Sequence, residues 1–251
     1  MLHHLVGLLD RVLNSQVTGT KPLQVQPALA GGQNCLWAPA IWDHPILADE
    51  LYTAARTLGA GSGGDAVVTG DAFTDTALLG MDNLDQYRIL HFATHGLVTA
   101  PQPECPPRPA LLTSFGADGS DGLLSFGEIF DLNLDADLVI LSACDTAGAA
   151  TIGATREAGV SSGGGFALDG LVRAFLRAGG RSVVASHWPV PDDYDATNRL
   201  IDGFFKASAG TSIAAALQGS QQSLMDQAET SHPFYWAAFA IIGDGGAPLR
   251  R

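Results

Sequence analysis

A chain of 251 residues with 46% hydrophobic and 16% charged residues holds apolar material for one large domain or two small ones, which excludes disorder as a description of the whole. Thirteen Lys and Arg against 26 Asp and Glu leave a formal charge of −13, which repels a phosphate backbone, so no nucleic acid partner is expected. The acidity suits neutral or basic partners and is also the ordinary state of a soluble enzyme. Three cysteines, Cys35, Cys105 and Cys144, cannot all pair within one chain and are too few for a disulfide scaffold, so a reducing compartment, the cytoplasm, is expected.

In chain order, the opening MLHHLVGLLDR lacks a basic n-region, and its apolar run stops at Asp10 and Arg11, too early for a signal peptide. Leu2, Leu5, Leu9 and Leu13 form one amphipathic stretch, and residues 1–35 read as an N-terminal segment, the end of an upstream region, ahead of a domain over 36–251. Residues 45–58 carry Leu47, Leu51, Ala55 and Leu58 at helical spacing, with Gly59 as the stop. Short apolar runs at 66–69, 88–94, 138–144, 181–187 and 235–242 read as strands, and those at 88–94, 138–144 and 181–187 are continuous enough to be buried on both faces of a parallel sheet. Ser125 and Glu128 form a capping box that opens a short helix. Further helices are expected at 168–178, closed by Gly179 and Gly180, and at 192–206 and 212–225. Runs at 59–64, 101–109 and 147–165 lack periodicity and read as loops, the last long enough to be a lid, a binding loop or a cleavable linker. No run approaches the roughly 18 apolar residues of a spanning helix, and no membrane partner is expected. The class is α/β with a mostly parallel sheet.

Two of the central strands end in reactive residues. RILHFATHG carries His95 and Gly96 past its apolar run, and LVILSACD carries Cys144 and Asp145, 49 residues after His95. Ligands collect at the carboxyl ends of the strands in an open parallel sheet, so a His and a Cys leaving two strands there can meet. An imidazole can take the thiol proton, let the thiolate attack a carbonyl, and later protonate the leaving amine. The backbone N–H groups of Gly96 and Cys144 can serve the oxyanion. Against this stand ordinary readings: a Cys ending a buried strand as a small core residue, and a His after a strand as a structural hydrogen-bonding group.

The stretches LHFATHG, DGLLSFGEIFDLNLDADLVILSACDTAG, ALDGLVRAFLRAGGRSVVASHWPVPDD and HPFYWAAFAIIG, in that order over about residues 41–243, resemble the CHAT family of caspase-like peptidases, often associated with TPR repeats. The resemblance implies a caspase-like three-layer sandwich, with helices on both faces of the sheet, and a catalytic dyad on His95 and Cys144. It also implies that residues 183–190 line a groove taking substrate as an added strand, with Ser186 and Trp188 as substrate-binding residues. Trp188 reads equally as a core or rim aromatic, and Asp145, next to the nucleophile, reads either as the residue that selects a basic P1 side chain or as a turn or cap residue at the strand end. Ala147 with Gly148, and Gly164-Gly165-Phe166, depart from the common pattern beside the nucleophile. His187 stands where an aliphatic residue is frequent.

Other motifs are weaker. Residues 159–163 fit G-x-S-x-G but lie in the long loop and not between a strand and a helix. His91 and His95 are four apart but sit on a strand without the Glu of H-E-x-x-H, so no metal is expected. No G-K-[ST] follows a glycine-rich stretch, and His232 in HPFYW reads as a packing residue. The expected function is a cysteine endopeptidase without a cofactor, acting on a protein or peptide substrate under an activating partner or upstream regulatory domain. The alternative is a catalytically idle CHAT module serving as an interaction or scaffold domain.

Overall fold

The computed structural model describes residues 6–10, 35–37, 39–43, 46–60, 67–97, 105, 109–116, 119–142, 168–188 and 193–250. Among these, six strands form one sheet in the order β2-β1-β3-β7-β8-β9: β1 (Val6–Asp10), β2 (Val67–Thr69), β3 (Ile89–Ala93), β7 (Leu138–Ser142), β8 (Ser182–Ser186) and β9 (Phe239–Gly243). All neighbours are parallel except β8 and β9. Every residue of β3, β7 and β8 is buried, as their largely apolar sequences predict for strands covered on both sides. Alternate residues then face opposite layers. Leu90, Phe92, Val139, Leu141, Val183 and Ala185 pack with α2 (Asp75–Leu79), α3 (Phe126–Asp131) and α4 (Leu168–Arg177). Ile89, Ala93, Leu138, Ile140 and Val184 pack under α1 (Asp49–Leu58), α5 (Ala196–Phe205) and α6 (Ile213–Met225). The expected sandwich of helices on both faces of a mostly parallel sheet is the architecture found.

Local chemistry sets the ends of these elements. Ser125 and Glu128 form the reciprocal capping box at the start of α3. Gly59 closes α1 in the left-handed conformation. Gly179 ends the turn after α4 at φ 116°, where a Cβ would lie 1.9 Å from the carbonyl oxygen of Leu134, so only glycine fits between α4 and the approach to β7.

The central register is clamped by charge at the amino ends of the strands. Arg88, just before β3, donates Nε–H to Asp137 Oδ2 at 2.5 Å and also pairs with it through Nη2. Arg181, just before β8, donates Nη1–H to Asp137 Oδ1 at 3.1 Å. One carboxylate beneath β7 thus ties three strands. Removing it leaves two cations with a lost partner, and Asp137→Ala is expected to cost about 3 kcal/mol. Guanidinium unfolding checks this; a change below about 0.5 kcal/mol, within the range of an ordinary surface substitution, would remove the clamp from the account.

Several expectations change. The stretch around Leu9 is a strand between β2 and β3, so this part of the 1–35 segment belongs to the sheet. Its leucines recur at helical spacing, but a short apolar run is ambiguous between helix and strand. Residues 233–236 form α7 (Pro233–Trp236), and the last strand starts only at Phe239, because Pro233 at the first helical position and the His232 cap favour a helical turn. A small antiparallel sheet of β4 (Gly96–Leu97), β5 (Ala110–Leu112) and β6 (Leu123–Ser125) was not expected. The cysteine reading is also corrected. Cys35 and Cys105 form a disulfide, Cα to Cα 5.6 Å, because Trp37 and Trp42 pack onto this small sheet and bring the two ends together. An odd cysteine count excludes complete pairing but not one bond.

Candidate active site

The site is built where β3 and β7 end. After Ala93 the chain leaves the central sheet, and Thr94 donates its hydroxyl to the Leu112 carbonyl at 2.5 Å. The carbonyl of His95 accepts from the Leu112 N–H at 2.8 Å, so His95, half-buried, is pinned between the central sheet and β4. Gly96 lies opposite Leu111. With the bond running from Leu112 to His95, this is a non-hydrogen-bonded pair of the antiparallel ladder, and the Gly96 N–H points away from β5. That donor is not consumed by the small sheet.

β7 ends at Ser142, and Cys144, Asp145 and the 147–165 run lie outside the described residues. Between β3 and β7 the register runs from Ile89 opposite Leu138 to Ala93 opposite Ser142. Every β3 residue therefore faces the β7 residue 49 positions on, the same separation that joins Arg88 to Asp137. His91 is fully buried on the same face as Ser142, and its Nε2 lies 3.1 Å from Ser142 Oγ. The same nitrogen is 3.3 Å from Glu50 Oε1 on α1. Sequence reasoning considered His91 only as a metal ligand and missed Glu50 and Ser142. Among the described residues no group of three His, Cys, Asp or Glu side chains is placed to hold a metal ion.

The β8 edge departs from expectation. Val183, Val184 and Ala185 pair with β7, and the whole of β8 pairs with β9, so both edges of this strand are used. The His187 N–H also donates to Ala238 at 2.7 Å. A substrate strand cannot add along 183–185; from Ser186 onward the backbone edge away from β9 remains for that purpose. Ser186 is 0% exposed and lies under the rim, which corrects its assignment as a side chain that touches substrate. The alternation of a buried strand puts it in the interior. Trp188 is half-buried and donates Nε1–H to the Phe234 carbonyl at 3.0 Å.

Beside Trp188 stands an aromatic group at the carboxyl end of β8. Tyr194 packs edge-on to Tyr235 at 5.7 Å between centroids, and Phe234 to Tyr235 at 5.6 Å. Desolvation first, then the Asp193 carboxylate and Tyr194, raise the Tyr235 phenol above its ordinary value, so it remains a neutral donor. Tyr194 and Asp195 both take φ 55°, a left-handed conformation that non-glycine residues rarely adopt. Arg199 donates to the Tyr194 carbonyl at 3.3 Å and Asn198 to Asp195 Oδ1 at 2.6 Å, which holds the bend. Strain of this kind concentrates at functional rims.

Residues 8–244 match the CHAT domain. The chain belongs to the CHAT domain family. Tetratricopeptide repeat protein 28 of Homo sapiens is 29% identical to this CHAT domain over 241 residues, 83% of this chain and 9% of that protein. Its Mus musculus counterpart is 28% identical over 242 residues, again 83% of this chain and 9% of that protein. The CHAT chain thus spans about a tenth of the length of these relatives. A crystal structure of the Saccharomyces cerevisiae separase-securin complex overlaps 78% of this chain and 11% of that chain at a TM-score of 0.44 and 16% identity. In this CHAT chain, the stretches around His95, Ser142, Trp188 and Phe234 fall on β3, β7, β8 and α7, whose ends define one edge of the sheet.

Proposed function

We propose that this CHAT domain is a cysteine endopeptidase with His95 as general base and acid and Cys144 as nucleophile. The observation that carries the reading is the β3 to β7 register. Ala93 pairs with Ser142, and His95 and Cys144 each follow two residues on, so the separation of 49 that holds along the paired strands is also that of the two reactive residues in the sequence. The contact of His91 with Ser142, on neighbouring strands just before these ends, supports a meeting of the two segments at this edge. A His and a Cys leaving adjacent parallel strands on one face, at the carboxyl edge, is the arrangement a dyad requires.

The chemistry follows from those roles. His95 takes the Cys144 thiol proton, and the sulfur attacks the scissile carbonyl, forming a C–S bond and a tetrahedral oxyanion. The Gly96 N–H, unused by β5, and that of Cys144 receive this charge. Collapse breaks the C–N bond as His95 protonates the leaving amine. Water then gives a proton to His95 and its oxygen to the thioester carbonyl; the C–S bond breaks, the acid leaves and the thiol is restored. No step calls for a cofactor. Trp188 and Asp145 are the substrate-contacting residues in this reading, and a protein or peptide chain is the substrate, with activation by a partner or an upstream region.

Cleavage of a peptide library by the purified protein tests the proposal against a Cys144→Ala control. The expected result is cleavage by the wild type and none by the control. If Asp145 forms the first pocket, Arg at P1 is favoured over Lys, because a planar fork can take both carboxylate oxygens. Turnover of Leu or Met peptides with none for Arg, or full Arg cleavage by Asp145→Asn, removes Asp145 from the site. The second reading, a scaffold domain, draws on the tetratricopeptide repeats in the name of the relatives; it expects peptide binding without turnover.

A further inference from the structure

Among the described residues, a buried polar cluster that the chemistry above leaves unused lies beneath the ends of β3 and β7. Glu50 is 5% exposed, His91 0% and Ser142 5%, and around them the helix-facing layer is apolar: Ile89, Ala93, Ile140, Leu51 and Phe205. His91 Nε2 is the shared atom, 3.1 Å from Ser142 Oγ and 3.3 Å from Glu50 Oε1. The approach to Glu50 lacks hydrogen-bond alignment, and both carboxylate oxygens, and His91 Nδ1, have no hydrogen-bond partner among the described residues.

This composition is Ser, His and a carboxylate, but it is not a hydrolytic triad. A triad uses the two ring nitrogens for the two partners and presents the serine to substrate. Here one nitrogen lies against both, and the cluster is buried. Stability does not explain it either, since apolar side chains of similar size usually hold such a site at least as well as a buried ionic pair. What directional polar contacts supply and apolar packing does not is fixed geometry.

The place of the cluster gives that geometry a use. His91 is four residues before His95 on β3, Ser142 two residues before Cys144 on β7, and Glu50 lies in the first turn of α1. The contact crosses the two strands just before both chains leave the sheet. We propose that Glu50, His91 and Ser142 are positioning residues, a buried brace that locks the ends of β3 and β7 to α1 and so aims His95 at Cys144. The inference rests on the dyad reading. A displacement of about 1 Å between reacting groups can cost on the order of a hundredfold in rate, so losing the brace should slow chemistry more than binding.

The test uses iodoacetamide and the full chain under non-reducing conditions. With Cys35 and Cys105 joined, Cys144 is the single free thiol. Glu50→Gln and Ser142→Ala should each slow alkylation of Cys144 at neutral pH by about tenfold or more, with the melting temperature changed by a few degrees. Ser142→Thr keeps an Oγ and should retain most of the rate. A loosened fold would bare the thiol and speed its labelling, so a general structural defect has the opposite sign. Wild-type rates in both folded variants overturn the brace while leaving the dyad intact. Should Glu50→Gln fail to fold, Ser142→Ala, which removes one oxygen, decides alone. A wild-type Cys144 that reacts no faster than free cysteine, and is indifferent to His95→Ala, overturns dyad and brace together.

Discussion

Cys144→Ala and His95→Ala are each expected to lower kcat for peptide cleavage by about four to six orders of magnitude, and the double variant to lose no more than the Cys144 single variant. The reason is the dependence of each group on the other. Without the imidazole the thiol is a weak nucleophile and the leaving amine has no proton donor; without the sulfur the base has nothing to activate. The oxyanion donors survive both changes, so a small residual rate is expected from them alone. Folding should be spared for His95→Ala, because His95 lies after the last residue of β3, half-buried, and its chain is held by the Leu112 to His95 backbone bond. Steady-state cleavage with thermal melts of each variant measures both parts. Losses that add in the double variant would mean that the two residues act independently.

The second large effect concerns stability. Cys35 and Cys105 are 70 residues apart, and closing a loop of that length removes enough freedom from the unfolded chain to be worth about 4 kcal/mol. Reduction, or Cys35→Ser with Cys105→Ser, should lower the melting temperature on the order of ten degrees for a chain of this size. The bond fastens the segment of Trp37 and Trp42 against the small sheet, where Trp42 donates Nε1–H to the Thr113 carbonyl at 3.1 Å. That sheet carries the Leu112 backbone that holds His95, so partial loss of His95-dependent chemistry should accompany reduction. An unchanged melting temperature after complete reduction contradicts this account of the disulfide.

The elements that were legible from sequence share a physical cause. β3, β7 and β8 are buried on both faces, so most of their residues are apolar and the run shows as a run. Ser125 with Glu128, and Gly59 and Gly179, mark helix ends through backbone chemistry that few other residues satisfy. Strands of two or three residues such as β4 and β5 are too short to show a period, and they lie beside proline-rich sequence. β1 was hidden because its leucines fit either a helix or a strand until a neighbouring strand selects one. Within the site, His95 and Gly96 could be found from the end of the apolar run. Glu50 could not, since an acidic residue in the first turn of a helix is favoured by the helix dipole whether or not it is buried. Ser186 illustrates the converse: a polar residue near the expected groove reads as a contact, and only its full burial beside β9 reveals that it is interior.

The most direct test of the central claim is the pH dependence of Cys144 alkylation, followed with the disulfide intact so that one thiol reports. A dyad predicts a rate governed by an apparent pKa below about 7.5, because an adjacent imidazole favours the thiolate, and a return toward about 8.5 in His95→Ala. A wild-type profile that already follows the ordinary thiol value near 8.5, and is unchanged by His95→Ala, would contradict the assignment of His95 and Cys144 as a catalytic pair.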